Sequence, residues 1–188
     1  GCRNELYSRV AKTLNLPCKV EFISLSSEEA IQKIRANEVD IAISHKVPNT
    51  SSVIARKIFS DHTVFVIHSK LLKRKRLDIR TICDPEFLRS TASIIYRERD
   101  PPYFVELATH AGITLKDLKV KMICEHWYAT LAMVQQGFGF SMIPSGIQVN
   151  HPEVLAYDMP TEIIPPTDFF VLYHASLRKL EFMKDLIK

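Results

Sequence analysis

Cys124 and His126 stand two residues apart. On a strand that spacing puts both side chains on one face, where a thiol could act as nucleophile and the imidazole as its base. Such catalysis also needs a group that orients the base and donors for an oxyanion, and a thiol buried at a strand end is normally inert. The alternative is binding. Glu125, His126 and Trp127 set a carboxylate, an imidazole and an indole just past a strand, and open α/β sheets hold their ligands beyond the carboxyl ends of strands. Cys2, Cys18, Cys83 and Cys124 are scattered, with no pair at the spacing of zinc ligands or a redox motif. Gly137 and Gly139 follow a helix instead of joining a strand to one, which is the wrong order for a dinucleotide fingerprint. No metal and no cofactor is therefore expected.

Those residues need a frame, and the stretch from His126 to Ile147 supplies it. Trp127, Tyr128, Leu131 and Val134 recur at helical spacing, and the alanines and Met133 make the segment apolar on nearly every side, so a buried helix is expected. Gly137 ends it, Phe138 to Ile143 reads as a strand, and Pro144 with Ser145 opens a turn and a further short helix.

Upstream, Arg3 to Leu16 reads as a first helix and Lys19 to Leu25 as a strand. Ser26 and Glu29 form a capping-box pattern that opens a helix running to about Asn37. Val39 to Ser44 is a short strand of the buried parallel kind, followed by strands at Val53 to Phe59 and Thr63 to His68. Strand, helix, strand with a crossover of this length implies parallel pairing. After a basic turn and an irregular stretch from Leu77 to Arg89, the pattern begins again. Ala92 to Tyr96 is a strand, Asp100 and Pro101 start a helix that stops at Gly112, and Lys119 to Cys124 is the next strand. Strands at His151 to Met159 and Asp168 to His174 and a helix from Leu177 to Lys188 complete the chain.

The 188 residues are 46% hydrophobic and 24% charged, ordinary globular composition with enough apolar residues for one domain or two small lobes. Net charge is +4, concentrated in the KLLKRKR run from Lys70 to Arg76. No aromatic residue interleaves with that run, so it reads as a solvated surface turn before a nucleic-acid contact. No apolar run approaches the ~18 residues of a membrane span, and free thiols suit a reducing compartment.

At this point the order of elements resembles the effector-binding domain of LysR-type transcriptional regulators, whose fold is shared with type 2 periplasmic solute-binding proteins. The carriers are the strand and Ser-Ser-Glu-Glu helix leading to VDIAIS, the HTVFVIHSKLL run, and GFGFSMIPS. Ser69 stands where the family's turn has a proline. The resemblance covers essentially the whole chain and implies an α/β fold of two βαβ lobes with mainly parallel sheets, joined by two crossover segments around a ligand cleft. Lobe I would comprise residues 1–66 plus 161–188, and lobe II residues 67–160. It further implies homodimers or tetramers through these domains, and DNA contact only through a winged helix-turn-helix that this sequence lacks.

In such a cleft, strand ends and helix starts offer donors suited to anions. Lobe I would contribute Cys2, Arg3 and Asn4 at the first helix, Ser26 and Ser27 at the second, and Ser44 and His45 after VDIAIS. Lobe II would contribute Tyr96 and Arg97 after one strand, and Glu125, His126 and Trp127 after another. Each has a plainer role: Ser26 as a helix cap, His45 as a loop residue, Arg97 solvated or paired within RERD, Trp127 as core. A mixed cationic and aromatic pocket favours an organic acid or an aromatic effector over a bare metal ion. The expected function is therefore that of a cytoplasmic, non-enzymatic sensor of a small molecule. A solute-binding protein of a transport system is the nearer alternative, although four unpaired cysteines sit awkwardly in an oxidising periplasm. A cysteine-dependent enzyme is the remoter one.

Overall fold

The computed structural model describes residues 21–23, 25–75, 78, 81–96 and 102–179. The chain divides into two compact units: His62–Pro166 with Gly1, and Cys2–Asp61 with Thr167–Lys188.

The discontinuous unit holds helix α1 (Ser27–Arg35) and strands β1 (Ile41–Ser44), β2 (Val53–Asp61) and β8 (Thr167–His174). Its sheet has the order β1-β8-β2, with β8 antiparallel to both neighbours. The strands β1 and β2 thus run parallel to each other but are not adjacent, because β8 lies between them. Sequence order alone could not place a strand from the far end of the chain between two early ones. The helix α1 opens on Ser26 with a complete capping box and closes at Asn37, whose φ of 56° lets Glu38 donate back to the Lys33 carbonyl at 2.9 Å. Residues of β8 alternate between two clusters. Leu172 and Phe170 pack with Ile34, Ile31 and Val53, whereas Val171 and Tyr173 pack with Ile41, Ile43 and Ile54. Glu21 to Ile23 belong to no strand, and the first helix expected over 3–16 lies outside the described residues.

The continuous unit is a five-stranded sheet of order β5-β4-β6-β3-β7, with β3 (Thr63–His68), β4 (Ala92–Tyr96), β5 (Lys119–Cys124), β6 (Phe140–Pro144) and β7 (Val154–Asp158). The pairs β4–β5 and β4–β6 are parallel, and β3 runs antiparallel to both β6 and β7. Every residue of β3 is buried. Its side chains alternate: Phe65 and Ile67 enter one cluster with Phe87, Phe104 and Phe140, while Val64 and Val66 enter another with Leu131, Val134 and Ile143. Both sheet faces are thus covered, which explains why the central strands read as unbroken apolar runs. A lobe boundary after Val66 falls inside β3, which pairs along its length with β6 and β7 and so belongs whole to this unit. The second boundary likewise shifts, from 160/161 to Pro166/Thr167.

Two stretches differ from expectation. The basic run forms helix α2 (Ser69–Lys75), because Leu71 and Leu72 are both buried while Lys70, Lys73 and Arg74 keep to the outer side. Within the stretch expected to be irregular, α3 (Pro85–Ser90) follows Asp84, a cap-then-proline start, and buries Phe87 and Leu88. Helix α4 (Pro102–His110) ends at Gly112, whose φ is 67°. Helix α5 (Trp127–Gln135) ends at Gly137 with φ 72°, where Gly137 and Phe138 donate to the Val134 and Met133 carbonyls. Contrary to the all-round apolar pattern, α5 is buried on one side only. Thr130, Leu131 and Val134 face the sheet, whereas Tyr128 is 62% exposed. After β6, Pro144 and Ser145 make a turn without a further helix.

Candidate functional site

Within the discontinuous unit, the start of α1 and the loop after β1 meet. Ser44 is buried at the end of β1, and its hydroxyl both donates to the Lys46 carbonyl (3.1 Å) and accepts from the Lys46 N–H (2.9 Å). That turn sends His45 and Lys46 outward, and the Lys46 ammonium pairs with Glu28 in the first turn of α1. Hydrogen bonding from Lys46 and from its own N–H, followed by attraction to Lys46 and His45, holds the Glu28 carboxyl below its ordinary range. Ser26 accepts from the Glu29 N–H (3.2 Å), and Glu29 accepts from the Ser26 N–H (2.8 Å), which lowers the Glu29 carboxyl as well. The Lys46–Glu28 pair ties the loop that holds Ser44 and His45 to the start of α1, where Ser26 and Ser27 lie. The sequence reading missed Glu28 and Lys46. Their signal was present as an acid one residue past the capping serines and a base one residue past His45.

Within the continuous unit, Tyr96 pairs in register with Cys124, so the parallel strands β4 and β5 end side by side. Glu125 and His126 follow as exposed residues, and His126 caps α5 through its backbone: its carbonyl accepts from the Thr130 N–H (3.0 Å) and hydroxyl (3.3 Å). Trp127 is half-buried against the cluster of Val64, Ile94 and Leu131, and Cys124 packs on that same cluster. The thiol thus has a packing role while His126 is exposed, the opposite of a nucleophile held against its base. Cys2, Arg3, Asn4 and Arg97 lie outside the described residues. Among the described residues no three His, Cys, Asp or Glu side chains gather as metal ligands, and no helix is long and apolar enough to cross a membrane.

A model of the LysR substrate binding domain matches residues 17–188. The chain belongs to the LysR substrate-binding domain family. Solved structures of the same fold include the effector-binding domain of QuiR in complex with shikimate, with a TM-score of 0.69 at 14% identity over 96% of this chain and 86% of that one. The effector-binding domain of BenM with its effector benzoate gives 0.68 at 12% identity over 99% and 82%. Full-length CbnR complexed with its target DNA gives 0.68 at 15% identity over 97% and 62%, so the chain spans about three-fifths of that regulator. No curated protein sequence matches. As a LysR substrate-binding domain the chain has the mixed α/β architecture of two sheets found in the type 2 periplasmic-binding-protein-like fold.

Proposed function

We propose that this LysR substrate-binding domain senses a small organic effector and passes that event to a DNA-binding segment of a longer parent regulator. The observation that carries this is the family match over 17–188, joined to the way the two units each bring polar strand ends and helix starts to one edge: Ser26, Ser27, Ser44 and His45 in one, Tyr96, Glu125, His126 and Trp127 in the other. Cys2, Arg3, Asn4 and Arg97 complete the proposed set, and the anionic or aromatic class of effector rests on those two arginines together with Tyr96 and Trp127. The ligand acts by differential affinity for two states of the domain, since equal affinity shifts no population.

In this reading the domain is cytoplasmic and non-catalytic. It assembles as homodimers or tetramers, and it reaches DNA only through the parent's winged helix-turn-helix. The test is a thermal-shift screen of metabolites against the domain, followed by calorimetry of the best compound on His45→Ala and His126→Ala. Weakened binding with unchanged folding is expected for both variants. A screen in which no metabolite stabilises the domain refutes the proposal.

A further inference from the structure

Helix α2 begins on a buried histidine. His68 ends β3 at the position just before the helix, and its Nδ1 accepts from the Lys70 N–H (3.1 Å), a donor of the first turn. That is the contact by which an N-cap side chain satisfies a helix start, made here by an imidazole instead of a hydroxyl or a carboxylate. Because Nδ1 accepts, the proton of the neutral ring is on Nε2, which lies 3.6 Å from the Glu153 carboxylate. His68 is 3% exposed, with Gly137 at the end of α5 beside its Cβ and Cγ.

The loop before β7 closes over this joint. The Ser69 N–H donates to the Glu153 carbonyl (2.8 Å), the His151 Nδ1 accepts from the Glu153 N–H (3.3 Å), and the His151 ring lies 5.7 Å from that of His68. The groups that could answer a charge on His68 are therefore Glu153 and His151 from this loop and Lys70 from α2, whose ammonium lies 3.7 Å from the same Glu153 oxygen, with Arg74 further along the helix. Strand β6 holds no titratable side chain, α5 ends beside the ring in the uncharged Gln136 and Gly137, and β7 carries Tyr157 and Asp158 at its far end, where Asp158 meets His62.

A proton on Nδ1 would turn the acceptor into a donor aimed at the Lys70 N–H. Turning the ring over does not help, because both nitrogens of an imidazolium donate. The new charge would also stand at the positive end of a helix and close to Lys70. Glu153 offsets that charge at Nε2, yet it cannot replace the acceptor lost at Nδ1. We infer that His68 is a proton-operated cap: when its imidazole takes up a proton, the first turn of α2 is unlatched from the end of β3. Leu71 and Leu72 stay anchored in the core, so what is released is the Lys70 backbone and side chain, which with Arg74, Gln136 and Gly137 line a hollow of about 370 Å³. The device lies wholly within the continuous unit and stands or falls independently of the effector reading.

The test measures amide hydrogen exchange by NMR, corrected for the intrinsic rate, at about pH 7.5 and about pH 5.5, the range in which imidazoles change charge, together with the ring nitrogen signals of His68. Protection of the Lys70 amide should fall about tenfold on acidification, as for one lost hydrogen bond, in step with the His68 ring and with no change at Phe65 or Val66 in mid-β3. His68→Asn keeps an acceptor at the cap but takes no proton, so its Lys70 protection should be the same at both pH values. Glu153→Gln removes the carboxylate that steadies the cation, and should move the change to lower pH. A native Lys70 amide equally protected at both pH values, or a His68 ring that stays neutral at the lower one, overturns the inference without recourse to any variant. A loss of protection that persists in His68→Asn overturns it as well, by assigning the effect to another group.

Discussion

Replacing Gly139 by alanine should destabilise the continuous unit by an amount that the backbone geometry sets. Its φ lies outside the left-handed region, so alanine would meet no conformational penalty there. The obstacle is steric: a Cβ built on Gly139 would lie 2.5 Å from the Ala92 carbonyl oxygen, 3.0 Å from its carbon and 3.2 Å from Ile94 Cγ1. Two of those atoms are strand backbone, so relief requires β6 to move away from β4. That movement disturbs the contact at Ser93↔Phe140 and the bond of 2.7 Å from the buried Ser141 hydroxyl to the Ile94 carbonyl. Overpacking of this kind costs about 1–3 kcal/mol, and weakening a buried hydrogen bond adds about 1 kcal/mol. The expected loss is therefore about 2–4 kcal/mol, or roughly 4–16 °C in Tm for a chain of this size.

Urea denaturation followed by the fluorescence of Trp127, the chain's one tryptophan, reports on this same unit. Gly112→Asn is the control. Gly112 has a φ of 67° and open space around its missing Cβ, so asparagine, which tolerates that conformation, should change stability by less than about 1 kcal/mol. A Gly139→Ala variant within about 0.5 kcal/mol of the native chain would refute the steric account.

Phe140 sits at the centre of a ring cluster, stacked on Phe65 with centroids 4.9 Å apart and 5.9–6.0 Å from Phe104 and Phe87. Phe140→Ala should cost about 3–5 kcal/mol, and a loss under about 2 kcal/mol by the same denaturation would show that the cluster collapses into the gap. The Asp117 carboxyl is held below its ordinary value of 3.8 by hydrogen bonds from the Thr114 backbone and hydroxyl. Its folded pKa lies below its unfolded one, so its contribution is fully present above about pH 3.8 and is lost as pH falls through the folded value. Asp117→Asn should therefore reduce stability at pH 6 more than at pH 3, and an equal reduction at both would exclude this linkage. Burial, with the nearby Asp84 adding to it, pushes the Cys83 thiol above its ordinary range. Iodoacetamide at pH 8 should thus modify Cys83 more slowly in the folded chain than in urea, and equal rates by mass spectrometry would contradict the burial.

The pattern of legible and illegible features follows from the range over which each signal acts. The strands β3, β4 and β5 and the capping box at Ser26 were readable because apolar runs, alternation and caps are local. Helix α2 was hidden because its basic residues outweighed Leu71 and Leu72 in composition, although leucine, lysine and arginine all favour helix. The helix α5 looked apolar all round because alanine and tyrosine count as hydrophobic, yet Ala129 and Tyr128 are exposed. Of the candidate site, Ser26, Ser44 and His45 were foreseeable as residues at element ends. The Glu28–Lys46 pair was not, because it joins positions 18 apart whose proximity depends on how α1 packs against β1.

The same distinction between local and distant completion fixes how the two units should behave when separated. In the continuous unit every strand of the sheet comes from residues between His62 and Pro166, and the clusters on both faces are filled from that segment as well. Its ends are tied down internally too: the His62 carbonyl accepts from the Ser145 N–H (2.9 Å), and the Thr63 carbonyl accepts from Met159 (3.0 Å). The other unit has no such independence. Among the described residues, strands β1 and β2 pair through β8 alone, and without residues 167–174 each would lose that partner along with Leu172 and Tyr173. An excised 62–166 segment should therefore fold alone with a cooperative urea transition, whereas residues 1–61 should stay unfolded until a peptide carrying 167–188 is added. A 62–166 segment without a cooperative transition would mean that its core needs the neighbouring unit, and the division drawn from the sheets would be mistaken.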